Sequence, residues 1–144
     1  MKRLLAALAT ALVLVAAVPA SAADRTVKLT LDGRPVDRAG GVAVLHNGVV
    51  YGNVVPLVKS FDGLLTFQGN AVVVTINGVT GRFTEGSRTV TINDGAVTMP
   101  GQTFKRDGDI YVPLDVFVTQ IAKAKLRTNP ARTQVDITVN APAS

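Results

Sequence analysis

The sequence predicts a β-rich α+β fold, in which an antiparallel hairpin sheet carries two short helices packed on it. Three observations support this prediction. Apolar and polar residues alternate in several stretches, Asx-Gly pairs separate those stretches, and two short segments show helical spacing instead. The chain has 144 residues, of which 47% are hydrophobic and 17% charged, a composition typical of one globular domain.

Five Asx-Gly pairs mark the expected hairpin turns. A two-residue turn of type I′ requires positive φ at both central positions, and Asn or Asp followed by Gly adopts it at little steric cost. Because the aspartates of these pairs have a role in turns, they are not predicted to be catalytic. The pairs are Asp32-Gly33, Asn47-Gly48, Asn77-Gly78, Asp94-Gly95 and Asp107-Gly108.

The segments around these turns carry the strand pattern. Residues 27–31, 89–92 and 135–139 alternate apolar with polar side chains, as expected of antiparallel strands with one buried face. Residues 72–76 place apolar side chains on both faces, which predicts a central strand.

A longer helix is predicted to begin at Pro113, because proline fits the first turn, where no amide hydrogen is needed. Five apolar residues then follow at the spacing of one helix face. They are Leu114, Phe117, Val118, Ile121 and Ala122.

A shorter helix is predicted from Pro56 to Gly63. Pro56 is expected to open it, and Leu57 and Phe61 lie on one face. Gly63 is suited to the left-handed residue that ends a helix.

These pieces recur in the same order along the chain. Residues 47–51 lead, after the three extra residues Gly52-Asn53-Val54, to Val55-Pro56-Leu57. Residues 107–111 lead directly to Val112-Pro113-Leu114. A duplicated hairpin–hairpin–helix–strand unit accounts for this order. The two units cover about residues 27–76 and 88–139.

The turn, strand and Val-Pro-Leu helix start resemble the copper amine oxidase N-terminal-like, or stalk, domain of secreted and wall-associated bacterial proteins. The resemblance covers roughly residues 27–139 and implies a non-catalytic module associated with the cell envelope or wall. The sequence departs from the family pattern at Gly52-Asn53-Val54 and at Lys123-Ala124, where the family usually has glycine after the helix.

Copper chemistry is not expected, because catalysis in those oxidases belongs to a different, larger domain. A copper site of that kind requires several histidines, and this chain has only His46, which is expected to be a surface strand residue. No cofactor, metal site or catalytic residue is predicted.

Enzyme motifs are also missing from the sequence. Without cysteine there is no disulfide, thiol nucleophile, zinc–thiolate cluster or iron–sulfur centre. No Gly-x-Ser-x-Gly elbow occurs, and the carboxylate pair Asp107 and Asp109 flanks a turn. The alternative function is a small secreted enzyme inhibitor or hydrolase acting through an exposed loop, for which Gly52-Asn53-Val54 is the nearest candidate.

Residues 1–22 have the pattern of a secretory signal peptide. Lys2 and Arg3 precede the uncharged residues 4–18, Pro19 breaks the helix, and residues 20–22 are small. A retained anchor is the alternative, but the uncharged run is shorter than the roughly 20 residues that span a bilayer. The mature protein is then a single domain, residues 23–144, exported to the periplasm or the exterior, with no membrane span.

The densest group of cations in the predicted mature chain is Lys123, Lys125 and Arg127. If this segment is a strand, the three side chains project from one face. For an exported protein the expected partner is an anionic envelope or wall polymer, or another envelope protein, and not nucleic acid. The alternative is an ordinary solvated strand face. The sequence leaves the oligomeric state open.

Overall fold

Thirteen strands and two short helices make up residues 24–36 and 42–139, the parts of the chain that the computed structural model describes. The signal peptide expected at residues 1–22 lies outside these parts. The elements are β1 (Arg25–Leu31), β2 (Arg34–Pro35), β3 (Ala43–His46), β4 (Val49–Asn53), α1 (Val54–Ser60), β5 (Leu64–Gln68), β6 (Ala71–Ile76), β7 (Val79–Thr84), β8 (Thr89–Ile92), β9 (Gly95–Thr98), β10 (Phe104–Arg106), β11 (Asp109–Pro113), α2 (Leu114–Val116), β12 (Lys125–Thr128) and β13 (Gln134–Thr138).

The strands divide between two sheets. The first has the order β10-β11-β4-β3-β1-β13-β12, with β2 also paired to β1, and the second has the order β5-β6-β7-β8-β9. Every pair is antiparallel except β1 with β13, which is parallel. The β-rich antiparallel class with two short helices is therefore confirmed. The expectation of a single sheet is wrong, and so is antiparallel pairing for β1 and β13.

Four of the five predicted turns have positive φ at both central residues, the geometry of a type I′ hairpin. Their φ values are 51° and 82° at Asp32-Gly33, 50° and 79° at Asn47-Gly48, 49° and 84° at Asn77-Gly78, and 53° and 85° at Asp107-Gly108.

The turn between β8 and β9 lies one residue earlier than predicted. Asn93 and Asp94 have φ values of 45° and 73°, whereas Gly95 already belongs to β9 and pairs with Ile92. Asn93 is fixed at the start of this turn by β7. Its backbone N–H donates to the Thr80 carbonyl oxygen, and its Oδ1 accepts the Thr80 N–H, both at 2.9 Å.

Helix α1 begins two residues before the predicted Pro56. Asn53 precedes it in an extended conformation, and its side chain accepts the N–H of Val55 at 3.3 Å, as an N-cap asparagine does. Pro56 occupies the first turn of the helix, where its missing N–H costs nothing.

The end of α1 also differs from the prediction. The left-handed residue is Asp62, with a φ of 55°, not Gly63. Gly63 is required for a different reason, close packing. A Cβ atom there would lie 2.7 Å from Cγ1 of Ile76 and 2.8 Å from the backbone oxygen of Thr75.

The second helix has the predicted apolar face, since Leu114, Phe117, Val118, Ile121 and Ala122 are all buried. Its first turn, α2, continues as a π-helical segment, Phe117–Ile121, closed by the Ala122 N–H donating to the Phe117 carbonyl oxygen at 3.0 Å. Pro113, predicted to open the helix, is instead the last residue of β11.

One apolar core contains side chains from both sheets and both helices. Leu29 of β1, Leu57 of α1, Phe83 of β7 and Phe117 after α2 are among its largest fully buried members. The helices therefore cover the apolar faces of both sheets together. They do not cover two separate cores.

Residues Gly52-Asn53-Val54, the predicted insertion, do not form an exposed loop. Gly52 and Asn53 end β4, Val54 begins α1, and all three are buried. Gly52 pairs with Ala43 on one side and Val112 on the other, which places it inside the first sheet. The candidate loop of an inhibitor or hydrolase is thus part of the core.

We expect Gly52→Ala to destabilise the fold by about 1–3 kcal/mol, the usual cost of forcing extra volume into a packed core. The new Cβ atom would overlap Cδ1 of Leu57 and lie 3.0 Å from Cδ1 of Leu114. Urea unfolding measures the change. Gly95→Ala is the control, because Gly95 has ordinary φ and a Cβ atom there would have its nearest neighbour at 3.5 Å. Equal stability of the two variants would contradict the packing argument.

Candidate functional site

Of the three cations singled out in the sequence, two lie on β12. Lys125 and Arg127 are exposed and alternate with the half-buried Leu126, so both project from the outer face of the first sheet. Lys123 is exposed but precedes the strand and has a φ of 56°. It is the left-handed residue at which the chain leaves the π-helical segment. The structure therefore does not place all three cations on one strand.

A carboxylate lies among the cations of this face. Asp136 of β13 is directly opposite Arg127. Its Oδ1 accepts hydrogen bonds from Oγ1 of Thr30 at 2.6 Å and from Nε2 of Gln134 at 2.9 Å. These bonds, with smaller contributions from Arg127 and Lys28, hold the pKa of Asp136 below its usual value. The carboxylate is thus kept ionised and fixed in direction.

Lys28 joins the group from β1. It is opposite Gln134 in the parallel pair, two residues before Thr30, and therefore projects from the same side of the sheet as Asp136. We call Lys28, Lys125 and Arg127 the basic face. Lys125, Arg127 and Asp136 also line a surface depression of about 420 Å³.

An apolar cleft of about 350 Å³ lies between α2 and the β3–β4 and β12–β13 hairpins. The exposed Asp115 and Arg132 are the charged residues of its lining. Nη1 of Arg132 donates to the backbone oxygen of Gly48 at 2.5 Å, which ties the two hairpins together. The apolar lining of the cleft includes Val49, Val50, Leu114 and Val135.

A second, smaller apolar cluster contains the buried Tyr51 and Tyr111, with Phe104 packed against them. The rings of Phe104 and Tyr111 are stacked, with centroids 5.2 Å apart, and the ring of His46 lies 4.4 Å from Phe104. The hydroxyl of Tyr51 donates to the Gln102 carbonyl oxygen at 2.9 Å. Burial raises the pKa of both tyrosines, so they remain neutral at physiological pH.

An ionic group borders this cluster. Nδ1 of His46 lies 2.8 and 2.9 Å from the two carboxylate oxygens of Asp24, and Arg106 donates to the same carboxylate. Burial alone would raise the pKa of Asp24, but hydrogen bonds from Arg106 and His46 outweigh it and hold the pKa below its usual value. His46 lies on strand β3, as expected, but its side chain is half-buried and contacts a carboxylate instead of being fully exposed on the surface.

The side chains do not fit a copper centre. The whole sequence has one histidine and no cysteine. Within residues 24–36 and 42–139, no three His, Cys, Asp or Glu side chains are grouped to hold a metal ion. The Nδ1 atom of His46 is already directed at Asp24.

No helix within the described parts of the chain is long and apolar enough to cross a membrane.

The two sheets, their shared core and the two short helices define a small β-rich domain. The family model described as the copper amine oxidase N-terminal domain matches residues 30–137, and the chain belongs to this family. The resemblance noted in the sequence is therefore confirmed. The N-terminal domain of copper amine oxidases is a non-catalytic, stalk-like module. Neither the curated proteins nor the solved structures gave a match.

The sequence did not indicate that Lys28 and Asp136 lie on the same face of the sheet as Arg127. Alternation along β1 and β13 was sufficient to place their side chains on a solvent-facing side. The pairing of Thr30 with Asp136, however, joins residues 106 positions apart and has no local signal. The contact between Asp24 and Arg106, which are 82 positions apart, likewise has no local signal in the sequence.

We expect Asp24→Asn to lower the free energy of unfolding by at most about 1 kcal/mol near pH 6, the range for partly exposed ion pairs. Because the pKa of Asp24 is depressed in the folded state, its stabilisation is present above the unfolded value of about 3.9 and is lost as the pH falls through the folded value. The difference in stability between the two proteins should therefore begin to close as the pH falls below about 4 and disappear once the pH is below the folded pKa of Asp24. Urea midpoints measured over a pH series provide the test.

Asp62→Asn is the matched control for this series, because Asp62 is an exposed carboxylate in the turn after α1. It should change the stability little near pH 6, because the Asp62 side chain is exposed. A stability gap for Asp24→Asn that stays constant down to pH 2 would rule out the role assigned to this carboxylate.

Proposed function

We propose that this protein is a non-catalytic, stalk-like module that is exported and binds an anionic polymer of the cell envelope through the basic face. Family membership supports the non-catalytic, stalk-like role. The pattern of residues 1–22 supports export. The observation that carries the binding role is the collection of Lys28, Lys125 and Arg127 on one face of β1, β13 and β12.

The spacing of the basic face suits a chain of repeated anionic groups. Lys125 and Arg127 are two residues apart on one strand, which separates their Cα atoms by roughly 7 Å. Asp136 offsets one of the three positive charges and, being held by Thr30, gives the face a fixed pattern of charges. Attraction of this kind is weak and is screened within about 10 Å at 0.1 M salt.

Cleavage after Ala22 would leave the described contacts of the domain intact. Ala23 would become the first residue, next to Asp24, whose carboxylate contacts Arg106 and His46.

We also infer that the chain contains two copies of one unit. The order hairpin, hairpin, helix, hairpin occurs in β1–β2, β3–β4, α1 and β5–β6, and again in β8–β9, β10–β11, α2 and β12–β13, with β7 between them. The pairing of β4 with β11 supports this. Tyr111 is opposite Asn53, Val112 opposite Gly52, and Pro113 opposite Tyr51, a register symmetric about its centre. Gly52 then corresponds to Val112, and no insertion is needed.

The exported protein should begin at Ala23. The basic start, the uncharged run and the small residues before the junction are the features that signal peptidase requires. Intact mass of the protein recovered outside the cytoplasm is the measurement. A mass that still includes residues 1–22 would indicate a retained anchor.

Binding to purified cell wall should decrease with ionic strength. The triple variant Lys28→Gln, Lys125→Gln, Arg127→Gln should weaken it by about tenfold at low salt, since three exposed ion pairs contribute about 0.5 kcal/mol each. Cosedimentation over a salt series gives the affinities. Lys123→Gln alone should have a smaller effect, because Lys123 lies off the strand.

The matched control is Lys59→Gln, Arg82→Gln, Arg88→Gln, which removes the same charge from exposed positions outside the basic face. It should retain most of the binding. Binding that is insensitive to salt and to the first triple variant would refute the role of the basic face. Turnover of a wall polymer by the pure protein would refute the non-catalytic role.

A further inference from the structure

The two sheets differ in how their open edges are protected. The end strands of the first sheet, β10 and β12, carry Lys105 and Arg106 or Lys125 and Arg127. Charged side chains on an edge oppose pairing with another chain. The edge strand β9 of the second sheet has four residues, none with a large exposed apolar side chain.

The edge strand β5 has no such protection. Its sequence, Leu-Leu-Thr-Phe-Gln, contains neither a charge nor a proline, and no other strand of the described chain pairs with its outer edge. Leu64 is 72% exposed and Phe67 is 57% exposed. An uncharged edge strand with exposed apolar side chains is a surface for strand addition.

We propose that β5 is the interface with a second copy of this chain, and that the two β5 strands pair antiparallel about a two-fold axis at Thr66. Such an interface joins the same surface of both copies, so the strand must be complementary to itself. β5 meets this requirement. With Thr66 opposite the partner's Thr66, Leu65 lies opposite the partner's Phe67 on both sides of the axis.

These apolar pairs continue the core of each copy. Leu65 and Phe67 are opposite Val74 and Val72 of β6, both of which are fully buried. Phe67 therefore already projects from the core side of the sheet, at the position where the sheet ends. The partner's Leu65 would cover the exposed part of its ring, an aromatic–aliphatic cross-strand contact that stabilises sheets.

The charges nearest to the interface are compatible with this pairing. Asp62 precedes β5 at one end, and Arg82 donates to Oε1 of Gln68 at 2.6 Å at the other. Antiparallel pairing brings the Asp62 end of one copy to the Arg82 end of the other. An acidic end thus lies beside a basic end at both ends of the interface, where Arg82 of β7 reaches the edge through Gln68. The strand itself carries no charge, so no like charges are brought together within it.

The size of the interface sets its strength. Five residues of strand extend roughly 17 Å. One such strand from each copy gives a contact below the roughly 1,200 Å² that stable interfaces bury. The dimer is therefore weak and reversible, and its population rises with protein concentration.

Sedimentation velocity of the purified protein from about 10 μM to about 1 mM covers the affinities of small interfaces. The wild type should shift from monomer to dimer within this range. Thr66→Lys should abolish the shift, because it places two ammonium groups opposite each other at the axis. Thr98→Lys, the same change at an exposed position on the other edge strand of this sheet, should not.

A mixture of Thr66→Lys with Thr66→Glu distinguishes self-pairing from other effects of the substitutions. Each variant alone should remain monomeric, and the mixture should form a heterodimer, because opposite charges then meet at the axis. A wild type that stays monomeric at every concentration would overturn the proposal. The partner of β5 would then be an extended segment of another protein. Equal effects of Thr66→Lys and Thr98→Lys, or a mixture that fails to associate, would overturn it as well.

Discussion

The fold depends on a close approach at Gly52, where both helices reach the same residue of the first sheet. Leu57 of α1 and Leu114 of α2 each direct a Cδ1 atom at the position that a side chain on Gly52 would occupy. Because Gly52 lies in β4, between β3 and β11, the helices meet over the interior of the sheet. Both helices can then bury their apolar faces in one core, to which both sheets also contribute side chains.

The second sheet packs against the end of the second helix through a similar close approach at a glycine. Gly81 of β7 has no side chain, and Ile121 of the π-helical segment occupies the space beside it. The wider turn of a π-helix changes the direction in which its side chains project. The irregular end of the second helix thus belongs to the packing between the sheets.

Local chemistry predicted the turns and the helical faces, whereas long-range pairing remained hidden. Four Asx-Gly turns could be predicted from the φ values that these residues tolerate. The fifth turn lies one residue earlier than predicted, because the Asn93 side chain binds a neighbouring strand. Helix α1 starts before the predicted Pro56, because Asn53 caps it. Nothing local indicates that β1 pairs with β13, so the sequence could place Lys125 and Arg127 on a strand face but not join them to Lys28 and Asp136.

The parallel pairing of β1 with β13 also determines how the domain carries mechanical load. Within the described residues these are the first and last strands, so a pull on the chain before Arg25 and after Thr138 draws them in opposite directions along their own axes. The hydrogen bonds between them are then sheared together, whereas a hairpin pulled at its open end loses its bonds one by one. The bond from the Asp32 N–H to the Ile137 carbonyl oxygen, at 2.8 Å, lies in the same path of force. A domain tethered at both ends would therefore resist extension through its whole terminal strand pair.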